Sequence, residues 1–306
     1  MWNLSFAAPA IIDARVLTRL PDVFRKAGRT EWCDANKPGH QVDSFLEGPC
    51  FDRAGNLYVT DIPYGRIFRI SREFEWTLVA QYDGWPNGAA FHPDGSLWIT
   101  DYRRGLLKLD RGAVEGDAPL QPTAILGHRN SESFKGLNDL AFDRDGNCYL
   151  TDQGQTGLHD PSGRVYRLSS SPQGAGRLEM IISGIPSPNG IALAADGKVL
   201  FVAVTRANQV WRGPLLPDGS VSKVGAFRTF FGTSGPDGLA VDAENRLVVA
   251  HASLGGAFVL NARGEVTHFI KSPAGSAVTN VAFRPGTRKL VMTESETGSI
   301  LEAEMQ

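Results

Sequence analysis

The sequence predicts an all-β protein, a six-bladed β-propeller with four-stranded antiparallel blades. Three observations carry that prediction: a motif present six times, a hairpin pattern inside every copy, and a spacing of 40 to 51 residues between copies. The copies read EGPCFDRAGNLYVTD from Glu47, NGAAFHPDGSLWITD from Asn87, NDLAFDRDGNCYLTD from Asn138, NGIALAADGKVLFVA from Asn189, DGLAVDAENRLVVAH from Asp237 and TNVAFRPGTRKLVMT from Thr279. With Phe51, Phe91, Phe142, Leu193, Val241 and Phe283 as the large apolar anchor of each copy, the steps are 40, 51, 51, 48 and 42 residues. Antiparallel repeats of that length mark a propeller, which protects its sheet edges by setting blades radially around an axis.

Each element follows from the register. Just before the anchors stand Cys50, Ala90, Ala141, Ala192, Ala240 and Ala282, small residues suited to innermost strands that crowd an axis. After them come turns of the Asp-x-x-Gly-Asn kind and then β-branched and aromatic strands such as Leu57-Tyr58-Val59-Thr60. Gly65 to Ile70 and Gly163 to Leu168 alternate as third strands, and Leu178 to Ile182 supplies a fourth. The last copy is followed only by Ser299 to Glu304, so its missing outer strand is expected from Ala14 to Leu20, closing the ring. Arg111 to Lys135 shows little strand pattern and is expected as a long loop over one face. Residues 1–306 thus read as a single propeller domain.

Composition excludes several classes of partner. The 42% hydrophobic and 21% charged residues are those of a globular protein with a sizeable core. Lys and Arg number 31 against 33 Asp and Glu, without a basic cluster to follow a phosphate backbone, so no nucleic acid partner is expected. Leu4 to Ile12 has no basic flank and is broken by Pro9, so neither a signal nor a membrane span is expected, and the address is cytoplasmic by default. Cys33, Cys50 and Cys148 lack paired spacing and are expected to be reduced.

Four residues before each anchor stand Glu47, Asn87, Asn138, Asn189, Asp237 and Thr279, all with a side-chain oxygen. In a propeller one register lies at one height, so these side chains are expected to converge at one end of the channel. In any single copy such residues serve as ordinary turn formers; at one register in all six they point to a site. Two carboxylates with amide oxygens suit a hard cation such as calcium, magnesium or manganese, and zinc or iron less characteristically.

The strings Glu47-Gly48-Pro49, Ser187-Pro188-Asn189-Gly190 and Gly235-Pro236-Asp237-Gly238-Leu239-Ala240 resemble motifs of the senescence marker protein, gluconolactonase and luciferin-regenerating enzyme family, over about Glu47 to Glu294. The resemblance implies lactone hydrolysis in the central channel, with Glu47, Asn189 and Asp237 as ligands of one divalent metal, and Asn138 touching substrate or a water. The stretch Asn138 to Leu168 is similar to the bacterial drug-responsive lactonases. Members that act on sugar lactones carry an Arg two residues before that Asn; Gly136 here points away from an aldonolactone.

Asp237 is the expected catalytic residue, as general base, with a role as metal ligand alone left open. Asn87 and the residues after each second strand, among them His251, Tyr102, Arg103, Gln155 and Arg206, are candidate substrate contacts. The repeated Thr-Asp of Asp61, Asp101 and Asp152 is expected to close turns, and His251 replaces that Asp in the copy carrying Asp237. No nucleophile elbow surrounds Ser234 and no His-Glu-x-x-His pair is present. The expected partner is a small lactone or ester, with a monomer or weak homo-oligomer as the acting form. Two alternatives stand beside the lactonase: an organophosphate or aryl ester hydrolase, and a non-catalytic ligand-binding propeller with a structural metal.

Overall fold

Every copy of the repeat folds as the inner half of an antiparallel sheet, and six such sheets surround an axis in this computed structural model, which describes residues 8–110, 119–171 and 176–305. The inner strands are Leu46–Phe51, Pro86–Phe91, Leu137–Phe142, Pro188–Leu193, Pro236–Val241 and Val278–Phe283. Each lies against the next, and the last lies against the first. The small residues before the anchors face the axis as expected: Cys50, Ala90, Ala141, Ala192, Ala240 and Ala282 all line a channel of 350 Å³ below the ring register.

The first and third blades complete themselves with Arg66–Ile70 and Trp76–Gln81, and with Gly163–Leu168 and Leu178–Ile185. Ring closure follows the sequence expectation, since Arg15–Arg19 pairs antiparallel with Ser299–Glu304 as the outer strand of the sixth blade. The Arg15 guanidinium meets the Glu302 carboxylate across that pairing at 2.5 Å. Just upstream, Ala10–Asp13 runs parallel to Val266–Lys271 as a fifth strand of the fifth blade. One N-terminal segment therefore straps two blades together.

The expected loop from Arg111 to Lys135 is corrected in part. Residues 111–118 lie outside the described residues, but Thr123–Leu126 pairs with Gly105–Leu109 as the fourth strand of the second blade. His128–Arg129 and Glu132–Ser133 form a further short ribbon. Four residues interrupted by a bulge between Ala124 and Leu126 carry too little alternation to be read from sequence.

Apolar side chains fill the space between blades. At the seam between first and last, Leu46, Val59, Phe68 and Ile70 pack with Leu20, Val291 and Ile300, all buried. Each such side chain contributes about 1.5–3 kcal/mol by leaving water. Hydroxyls add a polar seam near the axis. Thr60, Thr100 and Thr151 donate to the main-chain carbonyls of Asn87, Asn138 and Asn189 in the following blade, at 2.6, 2.6 and 2.7 Å. Thr279 of the sixth blade donates to the Leu46 carbonyl of the first at 2.9 Å. The Thr of the repeated Thr-Asp thus fixes the backbone of the next ring residue, beyond the turn-closing role expected of that dipeptide.

Candidate functional site

The oxygen-bearing register sits on a distortion common to all blades. Each inner strand slips by a bulge at that point, between Glu47 and Cys50, Pro86 and Ala89, Leu137 and Leu140, Pro188 and Ile191, Pro236 and Leu239, and Val278 and Asn280. A bulge leaves residues unpaired and re-aims their side chains, which is how a β-strand presents a ligand set to an axis instead of alternating past it. In four blades a glycine follows the ring residue and lets the next blade come close: a Cβ on Gly48 would lie 2.4 Å from the Asn87 carbonyl oxygen, and one on Gly190 would lie 2.2 Å from that of Asp237.

Glu47, Asn87, Asn138, Asn189 and Asp237 line one cavity of 210 Å³ at this end of the channel. Thr279, the sixth member, does not line it. Its hydroxyl is committed to the Leu46 carbonyl and to the Thr293 and Ser295 hydroxyls at 2.9 and 3.0 Å.

On the cavity floor Glu47 and Asp237 are 4% and 8% exposed, so both carboxylates have lost nearly all water. Glu47 Oε2 accepts from Asn280 Nδ2 at 2.9 Å and from the Gly48 amide at 3.0 Å. Burial pushes Glu47 up to about 7 against those bonds. Asp237 is pushed well above the carboxylate range, first by burial and then by the charges of Glu47 and Asp139, with an Asn189 hydrogen bond opposing. Two carboxylates crowd one dry site, and neither is ion-paired to a side chain among the described residues. A divalent cation bound here would relieve that frustration, and a donor set of two carboxylates and the Asn189 amide oxygen would suit a hard one. Among the described residues no three His, Cys, Asp or Glu gather as a metal cluster, so any such set would need the amide to complete it.

Asn138 Nδ2 donates to Gln153 Oε1 at 3.0 Å, and Gln153 Nε2 donates to Ser187 Oγ at 3.0 Å. Gln153 thus fixes the Asn138 amide, whose second N–H has no partner among the described residues. Tyr102 also lines the cavity and packs on Trp85, 5.7 Å between rings. Arg103, Gln155 and His251 do not line it. Arg103 reaches outward to Asp83 at 3.0 Å and Glu31 at 3.4 Å, and Gln155 stands behind Tyr102, donating to its hydroxyl at 3.1 Å. His251 is buried between Phe230 and Phe258, with ring centroids 6.1 and 6.0 Å away. Burial lowers it to about 4; the Phe231 backbone offers a weak opposing pull but no bond of good geometry.

Three features escaped the sequence reading. The helix Glu31–Asn36, capped by Thr30 accepting from the Cys33 amide at 3.2 Å, packs Trp32 and Cys33 on Ile62 beside Phe45 and Trp85 and roofs the cavity. Asn280 holds Glu47, and Asp139 lies buried beneath the ring, pushed up to about 7 by burial. Both occupy the column after the oxygen ring, which is Gly in the other four copies; that exception was the available signal.

A six-bladed propeller with an oxygen-lined, partly roofed cavity on its axis is the class that fold and site define. The profile of the SMP-30/Gluconolactonase/LRE-like region matches residues 45–296, and the chain belongs to that family. It is similar to lactonase drp35 of Staphylococcus aureus, 31% identical over 280 residues, covering 87% of this chain and 82% of the relative. Among solved structures it resembles a gluconolactonase of Xanthomonas campestris, with TM-score 0.73, 19% identity and 99% of both chains covered. It also resembles a calcium-binding regucalcin of Agrobacterium tumefaciens, with TM-score 0.74, 17% identity and 98% of both chains covered.

Proposed function

We propose that this chain hydrolyses a small lactone at the ring cavity, with Glu47, Asn189 and Asp237 holding one divalent metal ion, calcium by preference. The convergence of those three residues in one cavity carries the reading. Support for the lactone comes from the similarity to lactonase drp35 over most of both chains. When bound, such an ion would polarise the lactone carbonyl and lower the pKa of a water.

The chain's own residues supply the rest. Asp237 is the general base: its carboxylate takes a proton from the attacking water as the water oxygen bonds to the carbonyl carbon. Cleavage of the ring C–O bond then releases the alkoxide, which takes up the proton that Asp237 removed from the water, giving the hydroxy acid and restoring the carboxylate. Asn138, oriented by Gln153, offers its free N–H to a lactone oxygen, and Asn87 offers a second polar contact. Trp32, Phe45, Ile62, Trp85 and Tyr102 wall the cavity and exclude water around the ring carbons. A volume of 210 Å³ suits a small substrate.

A panel of lactones, aryl esters and organophosphates, assayed after chelation and after return of calcium, magnesium, manganese or zinc, tests the reading. Lactone turnover is expected to vanish with the metal and return with it. Full lactone turnover in a metal-free preparation contradicts the metal requirement, and turnover of the other esters alone contradicts the lactone.

A further inference from the structure

The cavity changes sign between floor and rim. Its lining contains four charged residues, Glu47 and Asp237 buried at the bottom, Lys37 half-buried and Arg206 exposed toward the mouth. Other arginines on this face are committed to carboxylates: Arg25 to Asp43 at 2.8 Å, Arg103 and Arg104 to Asp83 at 3.0 and 3.1 Å, and Arg164 to Glu132 at 2.6 Å. Among the described residues neither Lys37 nor Arg206 has a carboxylate within ion-pairing distance, although Glu296 is near enough to Lys37 for that charge to help lower its carboxyl.

The backbone that carries each of them is fixed. Arg206 sits in the 3-10 turn Thr205–Ala207, where the Thr205 hydroxyl donates to the Pro236 carbonyl at 2.7 Å and its amide to the Ser187 carbonyl at 3.0 Å. Arg206 lines the cavity that holds Asp237 while remaining exposed to solvent at its mouth. Lys37 ends the roofing helix, with its amide on the Cys33 carbonyl at 2.8 Å and its ammonium 5.0 Å from the Phe45 ring centroid. A cation resting on an aromatic face, or standing alone at a cavity mouth, is available to an incoming anion.

We infer that the substrate is an anionic lactone, carrying a carboxylate that Arg206 and Lys37 take at the rim while its ring lies against the Trp85 and Tyr102 wall. This deepens the lactonase reading and rests on it for the reaction, but not for the anion subsite. Had the two cations served only to balance the floor carboxylates, their removal would act alike on charged and neutral lactones. As substrate contacts they act on the charged one, and mainly through KM.

The test compares γ-butyrolactone-γ-carboxylate with its carboxamide, isosteric but neutral, in the metal-loaded wild-type protein and in R206Q and K37Q. Charge-assisted hydrogen bonds predict a wild-type kcat/KM at least about tenfold higher for the carboxylate. R206Q should cut that ratio roughly tenfold and K37Q severalfold, chiefly in KM, with R206K restoring part of it. A wild-type ratio near one, or a ratio unchanged in both variants, overturns the inference. Calorimetry with tetrahydrofuran-2-carboxylate, which has no ester to open, reads the subsite alone. Weaker binding to R206Q than to wild type supports it, even if no lactone of either kind turns over and the lactonase reading fails. Equal binding to wild type, R206Q and K37Q means that the carboxylate goes elsewhere and overturns it.

Discussion

Two columns of the repeat reach the same face of the ring and meet different fates. Four residues before each anchor, Glu47, Asn87, Asn138, Asn189 and Asp237 turn into the cavity from bulged inner strands. Ten residues after each anchor, Asp61, Asp101, Asp152 and His251 lie on regular second strands and are fully buried in the blades. Asp61 holds the Arg66 guanidinium and the Phe45 amide, both at 2.7 Å. Asp101 accepts the Arg103 and Arg104 amides at 2.8 and 2.9 Å, and Asp152 the Gly136 amide at 2.9 Å. In the first column the polar groups line the axial cavity, with Glu47 and Asn138 held by Asn280 and Gln153; in the second the three aspartates tie loops around the cavity, and His251 lies between aromatic rings. Polar residues at a repeated register do not by themselves say which, and the bulge makes the difference.

That contrast can be broken by substitution. In the first column, Asp237→Asn should lower lactone kcat/KM by about 10²- to 10⁴-fold, the range for loss of a general base. The same change removes a charge crowded against Glu47, so the metal-free variant should melt no lower than wild type. An active Asp237→Asn, or one that unfolds, would put Asp237 in the second column.

Asp61→Ala should do the reverse, costing about 3–5 kcal/mol of stability because Arg66 is left buried without its partner. Urea unfolding measures it; a loss under 1 kcal/mol, about what an exposed ion pair is worth, would refute the assignment.

His251 sharpens the comparison through pH. Its folded value, about 4, lies below its value in an unfolded chain, so the unfolded state binds the proton more tightly between the two. Its contribution to stability is complete above about pH 6.5 and is lost as pH falls toward 4. His251→Phe should therefore lose less stability than wild type between pH 7 and pH 5, while still turning over lactone. Parallel stability curves, or an inactive variant, would return His251 to the site.

The smallest effect belongs to the seam between the columns. Thr151→Val deletes the bond to the Asn189 carbonyl and should cost about 1 kcal/mol, together with a weaker affinity for calcium. Unchanged calcium affinity would show that the hydroxyl seam does not orient the ring.

Much of this architecture was legible because the repeat states it six times. The anchors and the small residues before them located the inner strands, and the short last copy called for an N-terminal strand, which Arg15–Arg19 supplies. What escaped depends on contacts between distant segments. Ala10–Asp13 looks like any short apolar run until Val266–Lys271 offers it an edge. The roof at Trp32 and Cys33 is stabilised by Ile62 and neighbouring Phe45 and Trp85, which no local pattern connects to it. Asn280 reads as a turn residue until the closed ring brings it to Glu47, 233 residues away along the chain. His251 looked like a departure with chemical meaning, whereas its neighbours Phe230 and Phe258 make it part of a core.

The account stands on Glu47, Asn189 and Asp237 acting together on one cation. Crystals grown with manganese as an anomalous scatterer test that directly. A single strong peak bounded by those three side chains is the predicted result. A peak held by other residues, or none at manganese concentrations that support turnover, would contradict it.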